Sequence, residues 1–267
     1  MARRPTGLAI ELPPSLTAEL RGSVAVLTLS RPEKRNALDD TLVLGLEAFF
    51  GSLPEAVKSV VLHAAGPHFS AGLDLSELTR RDTEQAVAHS AFWHRVFDRI
   101  EFGRVPVVSV LHGAVVGGGL ELAAATHIRV AERSAYYALP EGSRGIFVGG
   151  GGSVRLTRLM GVARMTDLML TGRTLDAEEG LAAGLSQYLV GDGAGLAKGL
   201  ALAERIAANT AFTNFAVMHA LPRIAEQDRA SGYVMESLTA AIAGTGAEAQ
   251  ARMTAFLEKR APKVKRS

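Results

Sequence analysis

Two glutamates, Glu121 and Glu141, stand twenty residues apart, each beside a run of glycines. Glu121 follows Gly117-Gly118-Gly119 and opens a strongly apolar stretch, Leu120 to Ala125, of helical character. Glu141 follows Leu139-Pro140 and precedes a second cluster, Gly149–Gly152. A helix-opening charge is enough to explain Glu121 alone, since a carboxylate gains from the dipole at a helix N-terminus, and an ordinary loop acid explains Glu141 alone. The pair says more. Two carboxylates converging on one pocket push their proton affinities apart and so supply an acid and a base. Three glycines ahead of a helix cost chain entropy, which makes sense where a ligand must lie against bare backbone N–H groups. The stretch offers paired acid–base groups and two places of close backbone approach, and leaves open whether the carboxylates meet.

A third segment, His68-Phe69-Ser70-Ala71-Gly72-Leu73-Asp74, is rich in small residues and follows an apolar run, so its amides could face a ligand; a plain strand-to-helix turn explains it equally well. Ser70 has no evident base partner and no G-x-S-x-G elbow is present. His63, His68, His112 and His127 lack metal-ligand spacing and read as structural, so no metal site is expected. With no cysteine there is no thiolate nucleophile and no disulfide. Neither a G-x-G-x-x-G with an acid placed for ribose nor a P-loop lysine occurs, which removes nucleotide-cofactor readings.

Positioning these residues takes alternating strands and helices. Residues 16–29 alternate in polarity around Gly22-Ser23, as a β-hairpin does. Leu38, Leu42, Leu46 and Phe49 give Asn36 to Phe50 helical spacing, with Asp39 or Asp40 near its start. Val57 to Ala64 is a continuous apolar run of strand length, as in a parallel strand buried on both faces. A helix is predicted around Ala86–Ile100, then a strand at 106–111, a glycine-rich turn, a helix from about 118, a strand at 128–131, a short β-like run at Ser134–Ala138 and a helix from about Ser153 to Met160. Residues 165–170 are a short apolar run, and Leu175–Glu179 reads as a capped helix start with Gly184 as its end. The alternation indicates an α/β fold with mainly parallel pairing. From 196 to 260 the chain has little strand signal and reads as three helices broken near Asn209–Thr213, Pro222 and Gly244–Gly246. Those helices suit either an oligomerisation element or a helical cap.

The 267 residues are enough for a sizeable core, with 48% hydrophobic and 21% charged residues. A net charge of +2, with basic residues gathered only at Lys259, Arg260, Lys263, Lys265 and Arg266, argues against a large nucleic-acid surface. No apolar run is long enough to span a bilayer. The start carries two arginines and no secretory-type apolar stretch, and reads as a disordered basic start rather than a transit-peptide fragment, so the expected location is cytoplasmic.

Several motifs, taken in order, resemble the crotonase (enoyl-CoA hydratase/isomerase) superfamily: Arg31-Pro32-Glu33-Lys34-Arg35-Asn36-Ala37-Leu38, the Phe69–Leu75 turn, Gly117-Gly118-Gly119-Leu120-Glu121-Leu122-Ala123 and Leu139-Pro140-Glu141. Thr171-Gly172-Arg173, Ala182-Ala183-Gly184-Leu185 and Met253–Arg260 continue the match, which covers roughly residues 20–260. The resemblance implies an α/β spiral of ββα turns over 1–195 holding an acyl-CoA site, a helical trimerisation region over 196–260, and a basic tail at 261–267. It implies a homo-oligomer, trimer or dimer of trimers, and no permanently bound cofactor, coenzyme A entering as part of the substrate. By position, Leu73 and Gly118 would supply the two backbone N–H groups of an oxyanion hole. Coenzyme A would meet Lys34, Arg35 and Ala37, Ala71, Gly72, Leu73, Asp74 and Leu75, and Gly117 and Gly118. Phe256 and Lys259 would reach coenzyme A bound to a neighbouring subunit.

Hydratases of the superfamily carry both glutamates, so the resemblance implies that Glu121 and Glu141 hold one water, Glu121 as its base and Glu141 as the donor to Cα. Two positions depart from the common pattern: His127 where an aspartate is usual and Val148 where a proline is usual, both expected around the acyl pocket. The local pattern HGAVVGGGLELAAATHIRVAE with ALPEGSRGIFVGGGGSVRL looks most like the methylthioacryloyl-CoA hydratases of dimethylsulfoniopropionate breakdown, which would make thioester hydrolysis a companion activity. A generalist short-chain enoyl-CoA hydratase is the main alternative, and an RNA-binding relative, resting on the basic tail alone, the remote one.

Overall fold

The computed structural model describes Leu8, residues 10–77 and residues 81–260; the arginines of the start and Lys263, Lys265 and Arg266 of the tail lie outside the described residues. The chain divides between Ala207 and Ala208 into two compact units.

The first unit opens with the expected hairpin, β1 (Leu16–Arg21) antiparallel to β2 (Val24–Leu29), turning at Gly22 with φ 61°. Helix α1 (Asp40–Gly51) begins later than its apolar spacing suggests. Arg35 and Asn36 both take left-handed backbone, φ 52°, and Asp39 then caps the helix by accepting from Leu42 N at 2.7 Å. Asn36 justifies its strained backbone: its side chain accepts from Arg31 N and donates to Ala65 O and His68 O, each at 2.8 Å, joining the loop before α1 to the loop after β3 from a fully buried position. Next come β3 (Ser59–Ala64), α2 (Thr83–Glu101), β4 (Val107–Leu111), β5 (Ala114–Val116), α3 (Gly118–Ala124), β6 (Ile128–Glu132) and β7 (Tyr136–Ala138). A capping box closed by Asp82 and Gln85 starts α2.

One cycle repeats along this unit: a strand in a large sheet, a short extended segment in a small one, then a helix. The large sheet runs β1-β2-β3-β4-β6-β9 and is parallel from β2 onward; the small one runs β5-β7-β8. In the early cycles the second segment shrinks to single bridges, Leu38 to Leu73 and Ser70 to Val115. This is the spiral of ββα turns. The remaining elements are α4 (Gly152–Met160), α5 (Val162–Thr171), β8 (Thr174–Leu175), α6 (Ala177–Ala182), β9 (Tyr188–Val190) and α7 (Gly195–Ala207). The apolar run at 165–170 lies within α5, and Asp176 caps α6 in a second capping box, with Glu179.

Alternation along the strands explains why they read as unbroken apolar runs. Ala25, Leu27 and Leu29 enter the main core with Leu38, Leu62, Phe69 and Phe97. Val24, Val26, Val61, Val108 and Val110 point to the opposite face, where Leu202 and Ala203 of α7 cover them. Burial on both faces leaves no polar face to write into the sequence. Helix α7 therefore completes the sheet, and the first unit runs to Ala207 rather than stopping at 195.

The second unit contains α8 (Ala211–Phe215), a π-helical turn (Ala216–Ala220), α9 (Leu221–Ala225), α10 (Arg229–Thr245) and α11 (Ala247–Leu257). Pro222 does not break the helix as its residue type suggests. It sits in the first turn of α9, where a missing N–H costs least, and the break falls at Glu226–Asp228, with Asp228 capping α10. Among the described residues, no helix is long and apolar enough to cross a membrane.

Candidate active site

The spiral brings the two glutamates to one place. Gly117, φ 53°, leaves the small sheet by donating to Ala138 O at 2.9 Å, and its own carbonyl accepts from Leu120 N and Glu121 N to start α3. That start buries Glu121 to 3% exposure. Both amides that hold its carboxylate come from the other glycine cluster: Gly150 N and Gly152 N donate to Oε1 at 2.8 and 2.7 Å. Glu141, just beyond β7, is 7% exposed, and its Oε2 is buried with no hydrogen-bond partner among the described residues. A Cβ on Gly117 would lie 2.7 Å from Glu141 Oε1, and one on Gly152 2.8 Å from Glu121 Oε1. Each glycine cluster thus makes room for the other segment's carboxylate.

Burial is the main force on both acids. It raises the proton affinity of Glu121 above the ordinary carboxylate value of 4.5; the Gly152 and Gly150 amides pull against it, Glu141 adds to it, and the Arg155 cation opposes it. Burial likewise raises that of Glu141, opposed by its own backbone amide and by Arg144. Both carboxyls thus keep a proton to higher pH than an exposed carboxyl would, one supported by fixed amides and the other without a partner at one oxygen among the described residues.

Both line a cavity of about 190 Å³ together with Leu73 and Gly118. Gly118 is the first residue of α3, where amides have no intrahelical acceptor. Leu73 bridges Leu38 through its neighbours, Leu38 N donating to Gly72 O and Asp74 N to Leu38 O, which turns its own N–H away from that pairing. A Cβ on Gly118 would lie 3.4 Å from Leu73 N, so the two amides are close. Helix α2 forms one wall with Ala86, His89, Ser90 and Trp93, and Ile146, Phe147 and Val148 form another. His89 Nε2 and Trp93 Nε1 both meet Asp40 Oδ1, at 2.7 and 3.2 Å, which fixes that wall to the start of α1.

The expected coenzyme A residues fall into separate groups. Leu73 and Gly118 reach the cavity, and Gly117 abuts Glu141. Lys34, Arg35 and Ala37 run beside Ala71, Gly72, Leu73, Asp74 and Leu75, joined by Ala71 N to Arg35 O and Leu38 N to Gly72 O. Lys34, Arg35 and Leu75 are exposed, whereas Asp74 turns inward to Arg31 and Ser76, the Ser76 hydroxyl chiefly holding its carboxyl below the usual range. Phe256 and Lys259 belong to the second unit, Phe256 exposed at the end of α11. Arg260 of the basic cluster pairs with Glu258.

One expectation is refined and one corrected. The Gly149–Gly152 cluster reads as a place of ligand approach; Gly149 and Gly150 do line the cavity, while the Gly150 and Gly152 amides are taken up by Glu121. His127 is not in the cavity wall: Nδ1 accepts from Val107 N and Nε2 meets Glu101 O, each at 3.0 Å, so it joins strand β4 to the end of α2. Val148 does line the cavity. Ser70 is structural, donating to Asn36 O. His89, Ser90 and Trp93 escape sequence reasoning, although Ala86, His89, Ser90 and Trp93 follow i, i+3, i+4, i+7 spacing, one helix face on which two polar residues interrupt the apolar stripe.

Residues 19–267 match the family model for enoyl-CoA hydratase/isomerase. A short-chain-enoyl-CoA hydratase of Clostridium acetobutylicum is 31% identical over 91% of this chain and 94% of its own length. A Rhodopseudomonas palustris structure, named as a candidate enoyl-CoA hydratase, is 55% identical with a TM-score of 0.92, covering 95% of this chain and 98% of its own. A candidate hydratase from Thermobifida fusca, solved in complex with acetoacetyl-CoA, is 29% identical with a TM-score of 0.79 over 86% of this chain and 94% of its own.

Proposed function

The chain belongs to the enoyl-CoA hydratase/isomerase family, and from that premise we propose that it adds water across the α,β double bond of an acyl-CoA thioester. The observation that carries this reading is the pair of buried glutamates on one cavity with the Leu73 and Gly118 amides. Glu121, steadied by two amides, takes a proton from water as the water oxygen bonds to Cβ. The displaced π electrons move through Cα to the thioester oxygen, which Leu73 N and Gly118 N receive. Such a donor is worth roughly 3 kcal/mol on an oxygen that gains charge. Glu141, its proton affinity raised by burial, then protonates Cα. Glu121 ends with the extra proton and Glu141 without one, and exchange with solvent restores both. Coenzyme A enters as part of the substrate and no other cofactor takes part.

The acyl group is short. A cavity of about 190 Å³ walled by Trp93, Phe147 and Val148 suits a few heavy atoms, in keeping with the Clostridium relative's name and the acetoacetyl group of the Thermobifida complex. The specific substrate we propose is 3-(methylthio)acryloyl-CoA, whose polarisable sulfur suits the Trp93 and Phe147 rings. Water added at the carbon bearing sulfur gives a hemithioacetal, which expels methanethiol and leaves an aldehyde thioester. The generalist short-chain reading rests on the Clostridium relative. Alkene loss, methanethiol and free coenzyme A, followed separately with the methylthio substrate and crotonyl-CoA, decide between them. Methanethiol release with slower crotonyl turnover supports the specific substrate, and a free coenzyme A signal adds thioester hydrolysis. Brisk crotonyl hydration without methanethiol overturns it in favour of the generalist.

The helical unit is proposed to join copies of the chain into a trimer or dimer of trimers. Val234, Leu238 and Ile242 of α10, at i, i+4, i+8, are about 60% exposed within the single chain, an apolar stripe that an oligomer would cover. Light scattering on the full chain reads the copy number, and a monomer sinks the proposal.

A further inference from the structure

The grip on Glu121 comes from a turn of glycines that has no side chain to anchor it. Gly149 to Gly152 is chain of the highest conformational entropy, yet the Gly150 and Gly152 amides must converge on one carboxylate oxygen. Something else must hold the turn.

Two side chains do. Ser90 Oγ donates to Gly149 O at 2.6 Å. Arg155, on α4 and only 7% exposed, folds back so that Nη1 donates to Gly150 O at 3.1 Å. The same guanidinium reaches α2 through its other two nitrogens, Nη2 to Asp98 Oδ1 and Nε to Glu101 Oε2, each at 2.5 Å. Gly151 makes the return path available: its backbone is left-handed, φ 93°, and a Cβ there would collide with Arg155 Nη1. A planar fork with fixed donor directions can satisfy a carbonyl and two carboxylates at once, which a lysine ammonium on a flexible stem cannot do with the same geometry.

We infer that Arg155 is a positioning residue of the site: it fixes the glycine turn that aims Glu121 and ties that turn to α2, the helix that walls the cavity. Its cation also faces Glu121, as Glu141 does from the segment after β7. From α2, Asp98 and Glu101 meet the guanidinium, and His94 approaches Gly151. Removing the cation leaves Glu121 facing burial and Glu141 with only the two amides in opposition, so Glu121 titrates at higher pH. If Glu121 must be ionised to take a proton from water, the acidic limb of kcat moves upward with it.

The inference rests on the hydratase reading for its kinetic arm alone. Arg155→Met and Arg155→Lys are compared with wild type for crotonyl-CoA hydration across pH, and the Glu121 carboxyl is titrated by difference infrared spectroscopy without substrate, its band identified by its loss in Glu121→Gln. Arg155→Met is expected to lower kcat about a hundredfold, the scale of losing a near-attack geometry, with KM within about threefold, and to raise both the acidic limb and the infrared titration. Arg155→Lys is expected to restore the titration in part and kcat less, because charge returns without the fork. Folded variants with kcat near wild type and an unmoved titration overturn the inference. Should both fail to fold, the double variant Asp98→Asn, Glu101→Gln loosens the guanidinium from exposed and half-exposed partners, and an unchanged kcat there counts against it equally. A wild-type chain inactive on every enoyl thioester refutes the hydratase reading, while the infrared arm still decides the role of Arg155.

Discussion

The two glycine clusters look alike on paper and do opposite things. Gly117–Gly119 ends a strand and opens a helix, leaving the Gly118 amide on the cavity and room for Glu141. Gly149–Gly152 gives two of its amides to Glu121 and is itself tied down by Ser90 and Arg155. The first cluster turns the Gly118 amide to the cavity; the second commits its Gly150 and Gly152 amides to Glu121. The same contrast separates the acids, one held by two N–H groups and the other with a buried oxygen that has no partner among the described residues. A residue type that permits close backbone approach does not specify what approaches, whether a ligand or another part of the chain.

The largest effect should come from neutralising either acid. Glu121→Gln and Glu141→Gln should each lower kcat for enoyl-CoA hydration by about 10³-fold, within the usual range for a positioned proton-transfer group. Near-wild-type turnover in Glu121→Gln, measured by loss of the enoyl thioester absorbance, would remove the base from the scheme and leave a single-acid site.

Filling space beside the held acid should cost less and sharpen the contrast. Neither Gly152 nor Gly149 has a left-handed backbone, so alanine at each differs mainly in what its methyl meets. At Gly152 the methyl would lie 2.8 Å from Glu121 Cγ and Oε1; at Gly149 the nearest atom is Ser90 Oγ at 3.8 Å. Gly152→Ala should lower kcat roughly thirtyfold through a displaced carboxylate, and Gly149→Ala should stay within about twofold. Equal losses would mean that the cluster acts as one hinge rather than as two specific amides.

The smallest effect is on stability. Burial raises the Glu141 proton affinity above 4.5 in the folded chain. A raised carboxyl adds nothing unfavourable below its unfolded value and costs stability once pH climbs through its folded value. Glu141→Gln should therefore melt above wild type at pH 8. That gain should vanish near pH 4. A gain that persists at pH 4 would point to packing rather than to an unpartnered charge.

Much of this was legible in the residues. The hairpin, the parallel strands and the two carboxylates beside glycines follow from period, run length and residue type. Strands β5, β8 and β9 were not, because two or three residues carry no measurable alternation, and β7 was marked only within the longer β-like run Ser134–Ala138. The α2 wall was hidden for a different reason: a helix face reads the same whether it meets a core or a cavity, and only His89 and Ser90 mark it. Pro222 misleads because a proline that opens a helical turn and one that ends it have the same letter. That Gly150 and Gly152 serve Glu121 depends on a contact about thirty residues distant, which no local window contains.

Asn36 carries a further consequence, for how the protein ages. Its side chain gives one acceptor to Arg31 N and two donations to the carbonyls of Ala65 and His68. Hydrolysis of that amide to a carboxylate changes the side chain by a single heavy atom and hardly alters its size, yet it sets a negative oxygen against two carbonyl oxygens in a place closed to water. The same contacts that make the site so intolerant of that change also hold the amide still and shield it, slowing the chemistry that would produce it. The loop beside Lys34 and Arg35 is thus the point where chemical lifetime and fold stability become one quantity.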